Sequence, residues 1–416
     1  INFESGSKVG LAGFKYGPRI PNGPYTALTL NAPSLTNQSS VPVTTGSITI
    51  GAMNYKYSNL VWDAARKNLI MTIGDAQPDP ILSGAPALTG TSAIGIYNPA
   101  FNAFNTRAVN AFRSLPGFEG AGIGIVNPED EVSLNTTTTA PAAGDAASRD
   151  LANSLWLTPY FSAVNNSGDT DYDIRTPGLA FGYERQLCDR AFAGLGVSLF
   201  WPDYSGSGTD IDAFDATFAL YGGLLLPWEL ELDARVGYGF TDYDQTRHVR
   251  GHRYSDDYNG NTFFAGLGLG RTFSFNNGFY LRPGARYDYI HLSTDGFDEG
   301  DGLFALNVDD YDQNLHRVKA GLEAGYEAQN GLRLAAEAYY LGLYGDRRAR
   351  ASAHFTADPV NGFTAIGDAL DENNLGLGAR ASYSVNEQWE LGAGYNAIIG
   401  KDTVSNEINM DVTFRF

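Results

Sequence analysis

Apolar and polar residues alternate strictly along several stretches of the chain that follows residue 150. From Trp228 to Phe240, one set of alternate positions is apolar and mostly large, and the other set is charged or small. Strict alternation places the two sets on opposite faces of a β-strand. A strand of a soluble protein has about 5–6 residues, whereas a strand that crosses a bilayer at a tilt needs about 9–11. The pattern therefore predicts a wall strand of a transmembrane barrel, with its apolar face toward lipid.

Twelve strand candidates of this kind follow one another from Ser154 onward. They run near 154–164, 174–187, 190–203, 211–226, 228–242, 259–274, 279–292, 314–328, 331–345, 373–385, 388–400 and 404–416. Short turns alternate with long acidic segments near 243–258, 293–313 and 346–372. Outer-membrane barrels have short periplasmic turns and long external loops, and an even number of strands returns the chain to the face where it started. We therefore expect both ends of the barrel at the periplasmic face.

The polar face of the predicted strands carries charges of both signs. Charged side chains inside a membrane protein are expected to face its interior and to pair with one another. The residues predicted to face the lumen are Glu229, Glu231, Asp233, Arg235, Arg282, Arg286, Arg317, Glu323, Arg333 and Glu337. We expect ion pairs among them to stiffen the wall and to hold whatever occupies the lumen.

Glycine recurs on the same predicted inner face, for example at Gly194, Gly196, Gly237, Gly392 and Gly394. A barrel of twelve strands is narrower than the sixteen to eighteen strands of wide porin channels, yet it can hold an object about 10–12 Å across, which is the diameter of one α-helix. The glycines therefore indicate clearance for a segment threaded through the lumen. Relief of barrel curvature explains them equally well.

The chain before the predicted barrel has a different character. Short strands are predicted at Ser47–Asn54, Ser58–Trp62 and Leu69–Ile73. The best helix candidate is Asn98–Leu115, which has Pro99 in its first turn and is followed by a second proline. Residues 117–145 have the composition of a linker, and a second short helix is predicted at Gly144–Asn153.

Composition excludes several classes of function. A net charge of -19 with only 28 Lys and Arg residues argues against nucleic acid as a partner. Cys188 is the single cysteine, which excludes an intrachain disulfide and a cysteine metal site. No nucleophile, phosphate-binding or zinc motif is present, so we expect no enzyme activity, no cofactor and no metal. The chain begins at Ile1 without a leader, and we expect that a signal peptide and further residues were removed.

Several segments together resemble one family, the classical (type V) autotransporters. They are the opening stretch Ser154–Tyr160, then Gly178–Glu184, Ala193–Gly196 and the terminal strand Ile408–Phe416. The resemblance covers residues 98–416 and lies in strand count, domain size and carboxy-terminal placement. The terminal strand is similar to the family's assembly signal, although it has an acidic residue where the family usually has glycine. The positions that correspond to this signal are Asn409, Val412, Phe414 and Phe416.

The resemblance implies an all-β fold, a twelve-stranded antiparallel transmembrane β-barrel with an α-helical linker in its pore. It divides the chain into a β-rich, solenoid-like passenger remnant at 1–97, a linker with the pore helix at 98–153, and the barrel at 154–416. The pore helix would present Asn98, Phe101, Asn102, Asn105, Arg107, Asn110 and Arg113.

The implied function is that of a bacterial outer-membrane translocator, which moves its own passenger across the membrane and then anchors or releases it at the cell surface. The implied partners are the passenger, the barrel-assembly machinery, periplasmic chaperones, lipopolysaccharide and phospholipid. A small-solute porin with an N-terminal extension is the alternative.

Overall fold

The computed structural model describes residues 23–29, 46–50, 53–63, 68–78, 82–116, 118, 121–123, 152–275 and 277–416. The first strands are β1 (Gly23–Thr29), β2 (Gly46–Ile50), β3 (Met53–Asp63) and β4 (Asn68–Pro78). They pair antiparallel in the order β1-β4-β3-β2. A β-solenoid stacks parallel strands, so the solenoid-like part of the prediction is wrong. The short connection between β3 and β4 explains the difference, because parallel neighbours need a crossover of about a dozen residues or more.

Two helices follow, α1 (Ala85–Ile96) and α2 (Ala100–Arg113). The side-chain Oδ1 of Asn98 accepts a hydrogen bond from the amide of Ala100 at 2.9 Å and marks the start of α2. Helix α1 was not predicted, because it has no polar face. All twelve of its residues are buried, as expected of a helix that is apolar on every side. Neither described helix has the length and apolar character needed to cross a bilayer.

The predicted helix Gly144–Asn153 lies almost wholly outside the described residues, and Asn153 begins a strand. The later strands are β5 (Ala121–Ile123), β6 (Asn153–Ser167), β7 (Asp171–Cys188), β8 (Ala191–Phe200), β9 (Asp203–Gly206), β10 (Thr209–Leu226), β11 (Leu230–Val249), β12 (His252–Arg271), β13 (Phe273–Phe275), β14 (Phe279–Thr294), β15 (Phe297–Asp298), β16 (Leu306–Val308), β17 (Tyr311–Glu327), β18 (Leu332–Gly345), β19 (Arg350–Phe355), β20 (Asp358–Ile366), β21 (Asn373–Ser384), β22 (Trp389–Ile399) and β23 (Thr403–Arg415).

Twelve of the strands in residues 152–416 form a closed wall. Their order around the barrel is β6, β7, β8, β10, β11, β12, β14, β17, β18, β21, β22 and β23. The last strand pairs antiparallel with the first, from Thr403 opposite Asn166 to Arg415 opposite Ser154. Closure leaves no wall strand with a free edge, which a barrel in lipid requires because the hydrocarbon offers no other hydrogen-bond partners.

The predicted alternation determines which face of each strand meets lipid. On β11, Val236 and Phe240 are 42% and 54% exposed, whereas Glu231 and Arg235 are 1% and 5% exposed. The exposed apolar band reaches from the turn residue Trp228 to Phe240. That span corresponds to roughly 30 Å along the membrane normal, at about 3.3 Å per residue and the usual strand tilt, which matches a hydrocarbon core.

The three predicted external loops contain ordered strands. Residues 243–258 are not a loop, because β11 and β12 continue as a paired ladder up to Val249 opposite His252. The segments 293–313 and 346–372 contain β15, β16, β19 and β20, which form one four-stranded sheet. The acidic composition of these segments suggested solvated loops, while cross-strand pairing, which is not local in sequence, decides their structure.

A charge placed in the apolar band tests the orientation of the wall. Leu267 is 57% exposed in the band on β12, and Ser255 is exposed on the same strand above it. We expect Leu267→Arg to lower the free energy of unfolding by about 2–4 kcal/mol, because arginine is costly near the bilayer midplane. Ser255→Arg is expected to change it by less than about 0.5 kcal/mol. Denaturant unfolding in lipid vesicles measures both, and equal effects would contradict a lipid-facing band.

Candidate functional site: a helix in the barrel lumen

Helix α2 lies in the lumen and packs its aromatic side against one half of the wall. Phe101 meets Phe264 edge to face, with ring centroids 5.0 Å apart. Phe112 meets Phe192 in the same way at 5.1 Å. Between these contacts Phe104 packs against the inward rings of β6 and β10. Edge-to-face aromatic pairs add about 0.5–1.5 kcal/mol each beyond their buried area, so this side of the helix is firmly attached.

The inward glycines serve two purposes. A Cβ atom at Gly196 would lie 2.6 Å from the Phe104 ring of α2, and one at Gly223 would lie 2.4 Å from the Phe112 ring. These two glycines give clearance to the helix itself. At Gly237 and Gly266, in contrast, a Cβ would collide with Phe264 and Asp288, which are wall side chains. Glycine therefore also makes room for the long inward side chains that hold the helix.

Arg107 attaches the middle of α2 to β7. Its Nε and Nη2 atoms donate to the two carboxylate oxygens of Glu184 at 3.1 and 2.5 Å, and its Nη1 donates to Thr413 at 2.8 Å. Both side chains of the ion pair are about 5% exposed. A two-pronged contact between guanidinium and carboxylate fixes direction as well as distance, so this pair sets the height and rotation of the helix in the barrel.

Arg113 attaches the end of α2 to the opposite half of the wall. It donates to Glu323 at 2.7 Å and to Glu327 at 3.2 Å, both on β17. Its guanidinium lies 4.2 Å from the ring centre of Tyr280, which adds a cation–π contact. Because Glu327 ends β17 beside a short turn, this contact places the end of α2 at the predicted periplasmic face.

A small polar cleft of about 50 Å³ lies between α2 and the strands from β17 to β23. Asn102 donates to Glu407 at 2.8 Å across it, and Asn105 accepts from Arg286 at 3.0 Å. Asn110 accepts a long contact of 3.4 Å from Arg380. The helix therefore packs its aromatic rings against β6, β8, β10 and β12, where Arg107 also pairs with Glu184, and it makes further polar contacts with the strands across the cleft.

Helix α1 fills the outer half of the passage. Thr91 and Tyr311 share a hydrogen bond of 2.5 Å between their hydroxyls, and Ser92 donates to Gln313 at 2.5 Å. A Cβ at Gly90 would lie 2.6 Å from Ile211 and 3.2 Å from Tyr204. Burial raises the pKa of Tyr204, which lies in β9 outside the apolar band, so its hydroxyl stays protonated at neutral pH. The close fit on all sides leaves α1 no room to shift sideways.

The predicted lumen residues lie mostly where the alternation places them. Glu231 pairs with Arg282 at 2.6 Å, and Asp233 pairs with Arg286. Arg235 pairs with Asp288 at 2.9 Å and also donates to the backbone oxygen of Phe101 at 2.7 Å, so the wall charges contact α2 directly. The remaining contacts are Arg317 with Asn102 at 3.5 Å, Glu337 with Lys319 at 2.7 Å and Arg333 with Glu327 at 2.9 Å.

Glu229 is the exception among these residues. It lies in a single helical turn, Pro227–Glu229, at the end of β10, and its nearest cation is Arg190 at 3.7 Å. Trp228 and Glu229 both have positive φ angles, which interrupt the strand alternation before β11 begins, so the lumen-facing position of Glu229 stays a prediction.

The terminal strand closes the barrel. Val412 and Phe414 pair with Leu157 and Leu155 of the first strand, while Asn409 faces the lumen side and donates to Glu407 at 3.4 Å. The rings of Phe414 and Phe416 stack with centroids 5.7 Å apart.

Sequence reasoning missed three residues that hold the helix, Glu184, Asp288 and Glu407. Each lies at an inward position of a predicted strand, so the phase of the alternation marks them as lumen residues. The alternation does not indicate which residue each of them contacts, because the partners are far apart in sequence. Glu184 and Arg107, for example, are 77 positions apart.

Comparison with known proteins gives one consistent result. The model of the family described as the autotransporter β-domain matches residues 155–396. The translocator domain of the autotransporter NalP from Neisseria meningitidis has a similar structure, with a TM-score of 0.55, 14% sequence identity, and coverage of 65% of this chain and 92% of that one.

Two curated relatives have names that describe enzymes. The esterase EstA of Pseudomonas aeruginosa is 28% identical over 196 residues, which is 44% of this chain and 30% of the esterase. An extracellular serine protease of Serratia marcescens is 25% identical over 262 residues, 61% of this chain and 25% of the protease. The chain thus spans less than a third of the length of these relatives.

Removing one partner of the Arg107–Glu184 pair tests its role. Arg107→Met leaves a buried carboxylate without its cation, and Glu184→Gln leaves a buried guanidinium without its anion. We expect each to lower the free energy of unfolding by about 3–5 kcal/mol. The double variant contains neither charge and is expected to lose much less than the sum. Denaturant unfolding in micelles measures this coupling, and additive losses would show that the pair does not act as a unit.

Proposed function

Because this chain belongs to the autotransporter family, we propose that its barrel carries the residues before Ala85 across the outer membrane and afterwards retains α1 and α2 as a plug. The barrel itself is an outer-membrane translocator domain. Two features support the retained plug, namely the ion pairs at Arg107 and Arg113 and the complete burial of α1. A porin needs an open lumen through which solutes exchange, and two attached helices would block it.

The direction of the plug is the observation that carries the proposal. The end of α2 contacts Glu327 beside a short turn, and α1 contacts β9 and β20 at the end with long connections. In an outer-membrane barrel the short turns are periplasmic. Arg113 and the start of β6 both lie at the short-turn end of the barrel, so we expect the residues before Ala85 to emerge at the cell surface. Helices retained in this orientation are what we expect after a barrel has carried the preceding part of its own chain outward.

We also propose a division of the chain that differs from the predicted one in its first boundary. Helix α1 belongs with the plug, so a boundary between residues 97 and 98 would cut the helical segment in two. We assign residues 1–84 to the surface part, residues 85–151 to the linker with its plug, and residues 152–416 to the barrel. We propose that the ion pairs of Arg107 and Arg113 keep α2 in the barrel whether the surface part is released or stays attached.

The barrel is assigned no catalytic role. Four of the described lumen carboxylates, on Glu184, Glu323, Asp288 and Glu407, are engaged in ion pairs or hydrogen bonds, which supports a holding role. The esterase and protease named above match this chain over a minor share of their own length. Any enzymatic activity of the whole protein would then belong to the surface part.

Surface exposure of the amino-terminal part tests the proposed function. An epitope tag placed before Ile1 is expected to be accessible to antibody and to external protease on intact cells. The reason is that the plug runs outward toward Ala85. A tag inserted in the periplasmic turn at Gln329-Asn330 is the control and should be detected only after the outer membrane is opened. An amino-terminal tag that stays hidden until then would contradict the proposal.

Conductance separates the translocator from a porin. The intact chain in a planar bilayer is expected to show low conductance, and a variant that lacks residues 85–113 should show a large, steady current. Large steady conductance of the intact chain would favour the small-solute porin instead.

The assembly partners are proposed from the terminal strand. The outer-membrane barrel-assembly machinery would recognise Phe414 and Phe416 after periplasmic chaperones deliver the chain. Lipopolysaccharide and phospholipid would surround the folded wall. Deleting Phe416 is expected to lower the amount of heat-modifiable barrel in the outer membrane several-fold, whereas Lys401→Ala, at an exposed site in a connection, should leave it unchanged. Unchanged barrel levels without Phe416 would remove the basis for this partner.

A further inference from the structure

The hairpin formed by β11 and β12 ends in a basic tip, Arg247 to Arg253. The ladder stays paired up to Val249 opposite His252, so Arg250 and Gly251 form a two-residue turn. Their φ angles are 47° and 83°, as in the type I′ turns that close β-hairpins. His248, Arg250, His252 and Arg253 are all exposed. A protein with a net charge of -19 thus concentrates positive charge at the end of one rigid element.

The arginine in this turn is not there for conformational reasons. The first central position of a type I′ turn favours asparagine, aspartate or glycine, because other side chains are strained at positive φ. Arg250 therefore occupies a position that costs conformational energy, and such strain tends to persist where a residue has a function. Many arginines in the described part of the chain form ion pairs with carboxylates. Arg250 and Arg253 form none there.

The tip is held in place from below. The guanidinium of Arg247 forms a two-pronged, fully buried contact with Glu299 and donates to the backbone oxygen of Phe304 at 2.7 Å. The ring of Phe304 in turn lies 5.8 Å from His252 and 5.7 Å from the guanidinium of Arg250. Free cations on a fixed frame lose little conformational entropy when they bind a charged ligand. A mobile loop with the same residues would not have this advantage.

The height of the tip limits what it can reach. Ten positions separate Phe240, at the top of the apolar band, from Arg250. At about 3.3 Å per residue and the usual strand tilt, the tip stands roughly 25 Å above the hydrocarbon surface. Lipid phosphates at that surface are out of reach. The exposed residues along the intervening wall, such as Asp242, Asp244 and Asp257, are acidic and would repel an anion there.

We propose that the tip from Arg247 to Arg253 binds an acidic polysaccharide outside the cell, with Arg250 and Arg253 as the charge-bearing contacts. Carboxylates or sulfates spaced along a polymer can each engage one guanidinium, and Arg suits such groups through its forked donors. Arg250 lies in the turn itself and Arg253 lies on β12 opposite His248, so the two charges occupy successive positions along the tip, an arrangement that suits a polymer with repeated anionic groups. This inference does not depend on translocation, because it concerns the outer surface of the folded barrel.

The test uses the full chain in detergent micelles with two probes, heparin and polygalacturonate, and neutral dextran as a blank. Arg250→Asn places a favoured residue in the turn, so the double variant Arg250→Asn, Arg253→Ser should unfold at the same temperature as the native chain or higher. We expect it to bind both acidic probes roughly tenfold more weakly, the size expected from losing two exposed charge-assisted contacts. Binding by the native chain should weaken as salt is raised.

Arg348→Asn is the matched control, because Arg348 is also exposed and lies in the connection between β18 and β19. It should keep native affinity for both probes. An equal loss in this control would show nonspecific attraction to positive charge and would overturn the proposal. Binding to lipopolysaccharide phosphates without binding to either acidic probe would overturn it as well, as would unchanged binding by the double variant.

Discussion

The structure depends on one constraint, which is that a closed wall in lipid leaves charged side chains only the lumen to occupy. Hydrocarbon offers no partners to backbone or side-chain polar groups, so each wall strand turns its apolar residues outward and its charges inward. The lumen of this barrel consequently contains arginines and carboxylates from many strands. They cannot stay separate at low exposure without a large desolvation cost, and they pair with one another and with α2.

The helix is held through this ionic lining. Arg107 and Arg113 extend from α2 to carboxylates on opposite halves of the wall. In the other direction, Arg235 of the wall donates a hydrogen bond to the backbone oxygen of Phe101 in α2. The aromatic side of α2 packs against β8 and β12, in the half of the wall that also carries Glu184. Two different kinds of interaction therefore act in parallel, and each is aimed by strands whose positions the closed hydrogen-bond network fixes.

The outer half of the passage is filled through a different kind of interaction. Helix α1 has no charge, and it is held by close fit, small residues and a few hydroxyl contacts. Above it the external strands form a sheet rather than loose loops, and the Arg247–Glu299 pair connects that sheet to the hairpin of β11 and β12. An apolar plug segment under an ordered cover is compatible with a passenger that has passed and a passage that has closed behind it.

The alternation of apolar and polar residues alone determined the number of wall strands, the lipid-facing side of each strand and the inward position of residues such as Glu231 and Arg235. A period of two is a local property, and it can be read from consecutive residues. Asn98 and the prolines near α2 are equally local signals. The start of the first wall strand is a local signal as well, and β6 begins at Asn153.

Only the tertiary structure decided the rest. Glu184 meets Arg107, and Glu299 meets Arg247, across separations that no local pattern records, because strand order and barrel closure bring them together. Helix α1 has no amphipathic signature, since it is buried on every side by parts of the chain far away in sequence. Residues 243–258 and the four external strands resembled loops because their composition is acidic, whereas pairing with neighbouring strands determines their conformation. The sequence pattern determines which face of a strand each residue occupies, whereas only the tertiary structure determines which residue it contacts on that face.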